Sequence, residues 1–155
     1  MTETITMTPE EFAASVAPST ITGFLIDVYK ETAQVVTVDR GLSSYYNILD
    51  CDMIDIVDHR IGARTRRNPE AHIFTIVCDD EALNKEPQKI SAIDNAGAAM
   101  LCGNLFIVKR NSLNDRELAS LEPQDIEYLK QFIMLQGTRK FPKPYPMLCQ
   151  CEYCY

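Results

Sequence analysis

The sequence has none of the segments that direct a chain into or across a membrane. No run approaches the roughly 18 apolar residues that a membrane-spanning helix needs, because the longest apolar stretches have the length of a strand. The N-terminal stretch MTETITMTPEEF has neither the positively charged start nor the apolar centre of a signal peptide. These absences predict a cytoplasmic protein with no membrane partner.

Catalytic motifs are missing as well. The chain contains no HExxH, GxSxG, GxGxxG or Walker-type phosphate loop, and its two histidines, His59 and His72, fit no ligand motif. Acidic residues are the remaining candidates for chemistry, as magnesium ligands or as an acid–base pair. The alternative is that they are solubilising residues at strand ends and turns. They are Asp50, Asp52, Asp55, Asp58, Asp79, Asp80 and Glu81. Because no catalytic motif is present, we expect a protein that is not an enzyme.

The composition is that of an acidic globular domain. Lys and Arg number 15 against 22 Asp and Glu, which gives a net charge of −7 and a pI near 4.8. Attraction to phosphate backbones needs clustered positive charge, so direct nucleic-acid binding is not expected. The 155 residues suit one domain, and 46% hydrophobic residues can supply its core.

The hydrophobic patterns predict an α+β fold. Strand-like segments recur along the chain, and two to three helices interrupt them: one starting at Thr8, one over Leu42–Leu49 and one over residues 123–135. The connections are too short for parallel crossovers. We therefore predict a mostly antiparallel sheet of about five to six strands.

Two local irregularities accompany this pattern. Residues 59–70 are polar and Arg-rich, which predicts a loop or a mobile hairpin. Gly103-Asn104 interrupts an apolar run over residues 99–109, which predicts a bulge or a close backbone approach. The sequence favours a single α+β domain at residues 1–137, followed by a Pro- and Cys-rich C-terminal tail at residues 138–155.

Several segments together resemble a known family. They are GFLIDVYKETAQVVTVD, GLSSYYNIL, IVCDDEAL, LCGNLFIV and SLEPQDI. This layout is similar to a family of small uncharacterised α+β domains found in phages and mobile elements of Gram-positive bacteria. The resemblance covers roughly residues 23–135. It implies a phage or mobile-element origin, and hence action in the host cytoplasm, but it supplies no activity.

An arginine cluster is the first candidate binding site. Arg60, Arg64, Arg66 and Arg67 lie within eight positions, and Asn68 follows them. Guanidinium groups bind phosphate in a bidentate manner, so these residues could hold the phosphates of a nucleotide while Tyr45 or Tyr46 stacks on its base. The alternative is a solvated loop that offsets the nearby aspartates, with both tyrosines in the core.

The cysteines at the C-terminus are the second candidate site. Cys149, Cys151 and Cys154 have a spacing from which thiolates can reach one zinc ion. Three ligands are one short of a closed tetrahedral site. The alternative is a reduced tail without metal. We expect no cofactor, with zinc at these cysteines as the exception to test.

Two functions follow from these features. The favoured one is a non-catalytic binding protein that sequesters a phosphorylated small-molecule signal, such as a nucleotide, in counter-defence. A nucleotide pocket often forms between subunits, so this function predicts a homo-oligomer. The alternative is an acidic interaction protein that masks a host nucleic-acid-binding protein, because a surface of like sign can occupy a basic groove.

Overall fold

The computed structural model describes residues 19–62, 72–110 and 117–154. These residues form two α-helices, α1 (Leu42–Leu49) and α2 (Pro123–Lys130), and a single 3-10 turn at Ala82–Asn84. The strands are β1 (Thr20–Asp27), β2 (Thr32–Asp39), β3 (Ile54–Ile61), β4 (Ile73–Asp79), β5 (Ile90–Ile93), β6 (Ala99–Cys102), β7 (Leu105–Arg110), β8 (Leu118–Ala119), β9 (Ile133–Gln136), β10 (Tyr145–Leu148) and β11 (Cys151–Tyr153). The α+β class is confirmed, but the described residues contain more strands than the five to six predicted.

The strands form two sheets. The first has the order β11-β3-β4-β7-β1-β2, with β8 paired to β7, and the second has the order β6-β5-β10-β9. Only β10 and β5 pair in parallel among the described strands, so the predicted antiparallel character is confirmed. The helix predicted from Thr8 lies outside the described residues, and no described helix is long and apolar enough to cross a membrane.

The central strands of the first sheet are buried on both faces. Phe24, Ile76 and Ile107 face the second sheet in one apolar cluster, while Val77 and Phe106 face α1 in another. A strand covered on both sides has no polar face, so its sequence is a continuous apolar run rather than an alternating one. This explains the runs GFLI, FTIV and LFIV.

Two predicted boundaries are wrong. The helix predicted over residues 123–135 ends at Lys130, and Ile133–Gln136 form β9 against β10. A short apolar run fits either a helix or a strand, and pairing with β10 makes this one a strand. Likewise, residues 59–61 belong to β3 rather than to a loop, because they pair with β4 on one side and β11 on the other.

At Gly103 the chain turns from one sheet to the other instead of forming a bulge, and it lies close to another segment, which is the second alternative that the sequence predicts. Gly103 has a φ of +78°, and a Cβ there would lie 2.8 Å from the Cβ of Ala82. β6 before it belongs to the second sheet and β7 after it to the first. The apolar run over residues 99–109 is therefore two strands, joined at a position where only glycine is unstrained.

The C-terminal residues contribute to both sheets. β10 lies between β5 and β9 in the second sheet, and β11 pairs with β3 at the edge of the first. Tyr145, Met147, Leu148 and Cys151 are almost fully buried. The segment predicted to be a separate tail is thus built into the core.

Candidate functional site

A group of carboxylates surrounds the end of β4. Asp50 and Asp52 follow α1, Asp55 lies in β3, and the turn after β4 contains Asp80 and Glu81. Together with Asp79, the last residue of β4, these residues form what we call the acidic corner. β3 begins at Ile54, so Asp50 and Asp52 precede the strand and Asp55 lies within it.

Backbone hydrogen bonds fix the shape of the acidic corner. Asp50 ends α1 in the left-handed conformation, at φ 53°, and reverses the chain towards β3. The Asp80 N–H donates to the Met53 carbonyl at 3.0 Å, and the Glu81 N–H donates to Asp79 Oδ1 at 2.9 Å. The first bond joins the backbones of the two acidic segments, and the second uses the Asp79 side chain to hold the turn after β4.

One ion pair lies at the base of the acidic corner. Lys85 Nζ is 2.6 Å from Asp79 Oδ2, and the Asp79 side chain is only 1% exposed. Nζ also donates to the Asp50 carbonyl at 2.7 Å. Burial opposes the charged form of Lys85, but the hydrogen bond and charge of Asp79 outweigh it and raise its pKa. Lys85 is therefore charged at neutral pH and committed to Asp79.

Two concave pockets flank this ion pair. One, of about 440 Å³, is lined by Tyr46, Asp50, Asp52, Glu81 and Lys85, among others. The other, of about 360 Å³, is lined by Asp55, Asp79 and Asp80 together with apolar side chains and two cysteines. Among the described residues that line the two pockets, Lys85 is the only cation, so these linings favour positively charged groups.

Apolar side chains are exposed beside the carboxylates. Met53, between Asp52 and β3, is 51% exposed, and Leu83, in the 3-10 turn, is 67% exposed. Protein-binding surfaces combine such apolar contacts with a polar rim, and methionine is enriched in them. The acidic corner thus combines carboxylates with two exposed apolar side chains.

The thiols near the acidic corner are protonated at neutral pH. Burial raises the pKa of Cys78 to about 12, and the charges of Asp55, Asp80 and Asp79 add to the effect. Burial, followed by the charge of Asp79, also raises the pKa of Cys51. Nucleophilic and metal-binding cysteines react as thiolates, so these two residues are poorly suited to such chemistry.

The high pKa of Cys78 predicts a loss of stability in alkali. Its ordinary value is 9.0, so the unfolded chain releases this proton first as the pH rises. The contribution to stability is complete below pH 9 and is lost between pH 9 and about 12, at up to about 1.4 kcal/mol per pH unit. Urea unfolding at pH 8 and pH 10.5 should show a shallower decline for Cys78→Ala than for the unchanged chain. Equal slopes would contradict the assignment.

Of the seven residues of the predicted nucleotide site, the structure describes Tyr45, Tyr46 and Arg60. Tyr45 is buried against Phe106, with ring centres 6.1 Å apart, so it belongs to the core and cannot stack on a base. Tyr46 lines the larger acidic pocket. Arg60 is only 5% exposed and lies in β3. Arg64, Arg66, Arg67 and Asn68 lie outside the described residues.

The C-terminal cysteines form no cluster. Cys149 and Cys151 are buried in the core between the sheets, and Cys154 is half-buried. Burial raises the pKa of Cys151 to about 12, with Cys154 as the next cause. Within residues 19–62, 72–110 and 117–154, no three side chains of the metal-binding types are grouped around a common point.

Sequence reasoning missed Lys85, Met53 and Leu83 as parts of one surface. In the sequence, the turn Asp79-Asp80-Glu81 and the aspartates after α1 are two separate groups, each of which also fits an ordinary solubilising role. The pairing of β3 with β4, which sets Ile54 opposite Asp79, brings the two groups together. The one available signal was the recurrence of acidic turns at the ends of two consecutive strand-like segments.

Comparison with known proteins identifies a family but no relative of known activity. No curated protein and no solved structure matches the chain. The family model described as "Domain of unknown function (DUF3846)" matches residues 21–133, from β1 to the start of β9. This range agrees with the resemblance to an uncharacterised family over residues 23–135 and covers more than half of the sequence. The chain therefore belongs to the DUF3846 family of domains of unknown function.

Proposed function

We propose that this protein is a non-catalytic binding protein whose acidic corner docks onto a basic surface of a partner protein. The observation that supports the proposal is the charge of the two pockets. The described residues of their linings include Asp50, Asp52, Asp55, Asp79, Asp80 and Glu81 against one cation, Lys85, and that cation is paired with Asp79. Lysine and arginine side chains of a partner are the groups such pockets complement.

The partner we favour is a nucleic-acid-binding protein of the host. Such proteins have basic grooves that contact phosphates, and an acidic surface competes for those grooves. Met53 and Leu83 would supply the apolar contacts that charge pairs alone do not provide at an interface. In this function the protein acts stoichiometrically in the host cytoplasm. Since the sequence implies a phage or mobile-element origin, binding of a host protein would serve counter-defence.

A phosphorylated ligand remains a separate prediction. Its proposed site rests on Arg64, Arg66, Arg67 and Asn68, which lie outside the described residues. Arg60 lies in β3, and Tyr46 lines a pocket whose carboxylates repel phosphate. The described part of the chain therefore favours the protein partner over the nucleotide.

The acidic corner can be tested with a defined basic probe. Asp52 and Asp80 are exposed, so the double variant Asp52→Asn/Asp80→Asn removes two charges without disturbing the core. We expect it to bind a fluorescent Lys/Arg-rich peptide about tenfold more weakly than the unchanged chain at 20 mM salt, since each exposed charge pair contributes up to about 1 kcal/mol. Fluorescence anisotropy measures the change.

The matched control removes the same charge elsewhere. Glu127 is 73% exposed on α2, and Glu152 lies in β11, so Glu127→Gln/Glu152→Gln also lowers the net charge from −7 to −5. We expect less than a threefold loss of affinity for this variant. Equal losses in both variants would mean that only the net charge attracts the peptide, and an unchanged chain that fails to bind would refute the proposal.

A further inference from the structure

The outer edge of β2 is unusually well suited to pairing with another strand. β2 is the last strand of the first sheet, and it pairs with β1 over eight consecutive residues without a bulge. Residues 32–38 have the sequence TAQVVTV, which contains no charge and no proline. Edge strands of monomeric proteins are normally protected by lysine, proline or bulges, and β2 has none of these.

The register shows which backbone groups face outwards. The Arg40 N–H donates to the Ser19 carbonyl at 3.0 Å, and bonded pairs alternate with non-bonded pairs along an antiparallel ladder. The even-numbered residues of β2 therefore bond to β1. The N–H and carbonyl groups of Ala33, Val35 and Thr37 point away from β1, and no described residue pairs with that edge.

An apolar cleft adjoins the same edge. It has a volume of about 320 Å³ and lies between Phe24 and Ala33 of the first sheet and Ile133, Met134, Leu135 and Pro146 of the second. Val35, two residues along β2 from Ala33 and therefore on the same face, is 40% exposed, and Leu135 is 67% exposed. A strand added to β2 would cover this apolar surface as well as the open backbone groups.

We propose that β2 pairs antiparallel with β2 of a second copy of this chain, about a twofold axis at Val35. An antiparallel pair of identical strands is self-complementary, as a twofold interface requires. In this register Val35 faces Val35 of the second copy and Ala33 faces Thr37, which gives about six backbone hydrogen bonds. The first sheets of the two copies then become one continuous sheet.

The uncharged sequence of this edge lets a second copy pair here in spite of the net charge. Two chains of net charge −7 repel one another over most of their surface, and the uncharged edge is where they can approach. At each end of the pairing, Glu31 lies opposite Asp39 of the second copy. Glu31 is already neutralised, since Lys89 Nζ is 3.7 Å and Lys143 Nζ 3.8 Å from its carboxylate.

Charged substitutions at the axis test the proposal. Sedimentation of the unchanged chain at 100 µM should give a dimer of twice 17.6 kDa. Val35→Lys and Val35→Glu place like charges face to face, so the affinity of each variant for itself should be at least tenfold lower than that of the unchanged chain. An equimolar mixture of the two should restore the dimer as a heterodimer. Val35→Thr, which adds no charge, and Asp52→Asn/Asp80→Asn should dimerise as the unchanged chain does.

Hydrogen exchange of the unchanged chain tests the same edge without a substitution. The amides of Val35 and Thr37 should exchange slowly at 100 µM and at least tenfold faster on dilution to a concentration at which sedimentation shows monomer. A monomeric unchanged chain, a Val35→Lys dimer or a mixture that fails to associate would overturn the proposal. Protection of these amides that does not depend on concentration would also overturn it, since the edge would then be covered from within one chain.

Discussion

Deletion of residues 138–155 is expected to abolish the cooperative fold. Tyr145, Met147, Leu148, Cys149 and Cys151 are each less than 10% exposed and belong to the core between the sheets. Burial of side chains of this kind stabilises a fold by about 1.5–3 kcal/mol each, so their joint loss is comparable to the whole stability of a small domain, about 5–15 kcal/mol. β5 and β9 also lose their shared partner, β10.

Circular dichroism and urea titration would show the effect of the deletion. The shortened chain should have no cooperative urea transition and little near-ultraviolet signal. A graded comparison uses single substitutions: Leu148→Ala, at a fully buried position, should cost about 2–5 kcal/mol, whereas Leu83→Ala, at a position 67% exposed, should stay within about 0.5 kcal/mol. A shortened chain that unfolds cooperatively would show that the segment is an appendage after all.

The deleted segment is also the part of the fold that could not be predicted from the sequence. The α+β class and the antiparallel pairing followed from apolar runs and short connections. The role of residues 145–153 did not, because prolines and cysteines near a terminus are typical of an extended tail. β11 pairs with β3 across some 90 positions, and a contact of that range leaves no local pattern. The family match, which ends at residue 133, does not include these two strands.

The acidic corner could not be predicted either, because it too depends on contacts between segments that are distant in the sequence. Its residues were recognised singly, and their types are common in turns. The pairing of β3 with β4 places Asp52 and Asp80 on one surface, and the ion pair with Asp79 occupies Lys85, the one cation among the described residues that line the two pockets. The tyrosines show the opposite case. Tyr45 and Tyr46 are adjacent in sequence, but a helix points the first into the core and the second towards the acidic pocket.

Loss of the ammonium group of Lys89 is expected to destabilise the fold substantially. Lys89 is 8% exposed, its Nζ donates to the Val28 carbonyl at 2.8 Å, and it lies 4.5 Å from the ring centre of Tyr145 and 5.0 Å from that of Phe141. It thereby connects the end of β1 to both C-terminal aromatic rings. Lys89→Met keeps the aliphatic stem but leaves the Val28 carbonyl without this donor, at a cost of about 1.5–3 kcal/mol, to which the lost cation–π contacts add.

Lys143 supplies the matched control for this substitution. Both lysines lie within 4 Å of the Glu31 carboxylate, but the Lys143 side chain is 85% exposed, so Lys143→Met should change the free energy of unfolding by less than about 0.5 kcal/mol. Urea titration with an unchanged m-value would measure both. A buried charge can be replaced by an apolar group without loss of stability when its partners do not compensate for its desolvation. A Lys89→Met variant as stable as the unchanged chain would therefore show that the Val28 carbonyl and the two aromatic rings do not compensate for the burial of the ammonium group. We expect the variant to be less stable, because replacing Lys89 removes the donor to the Val28 carbonyl and leaves that buried acceptor unsatisfied.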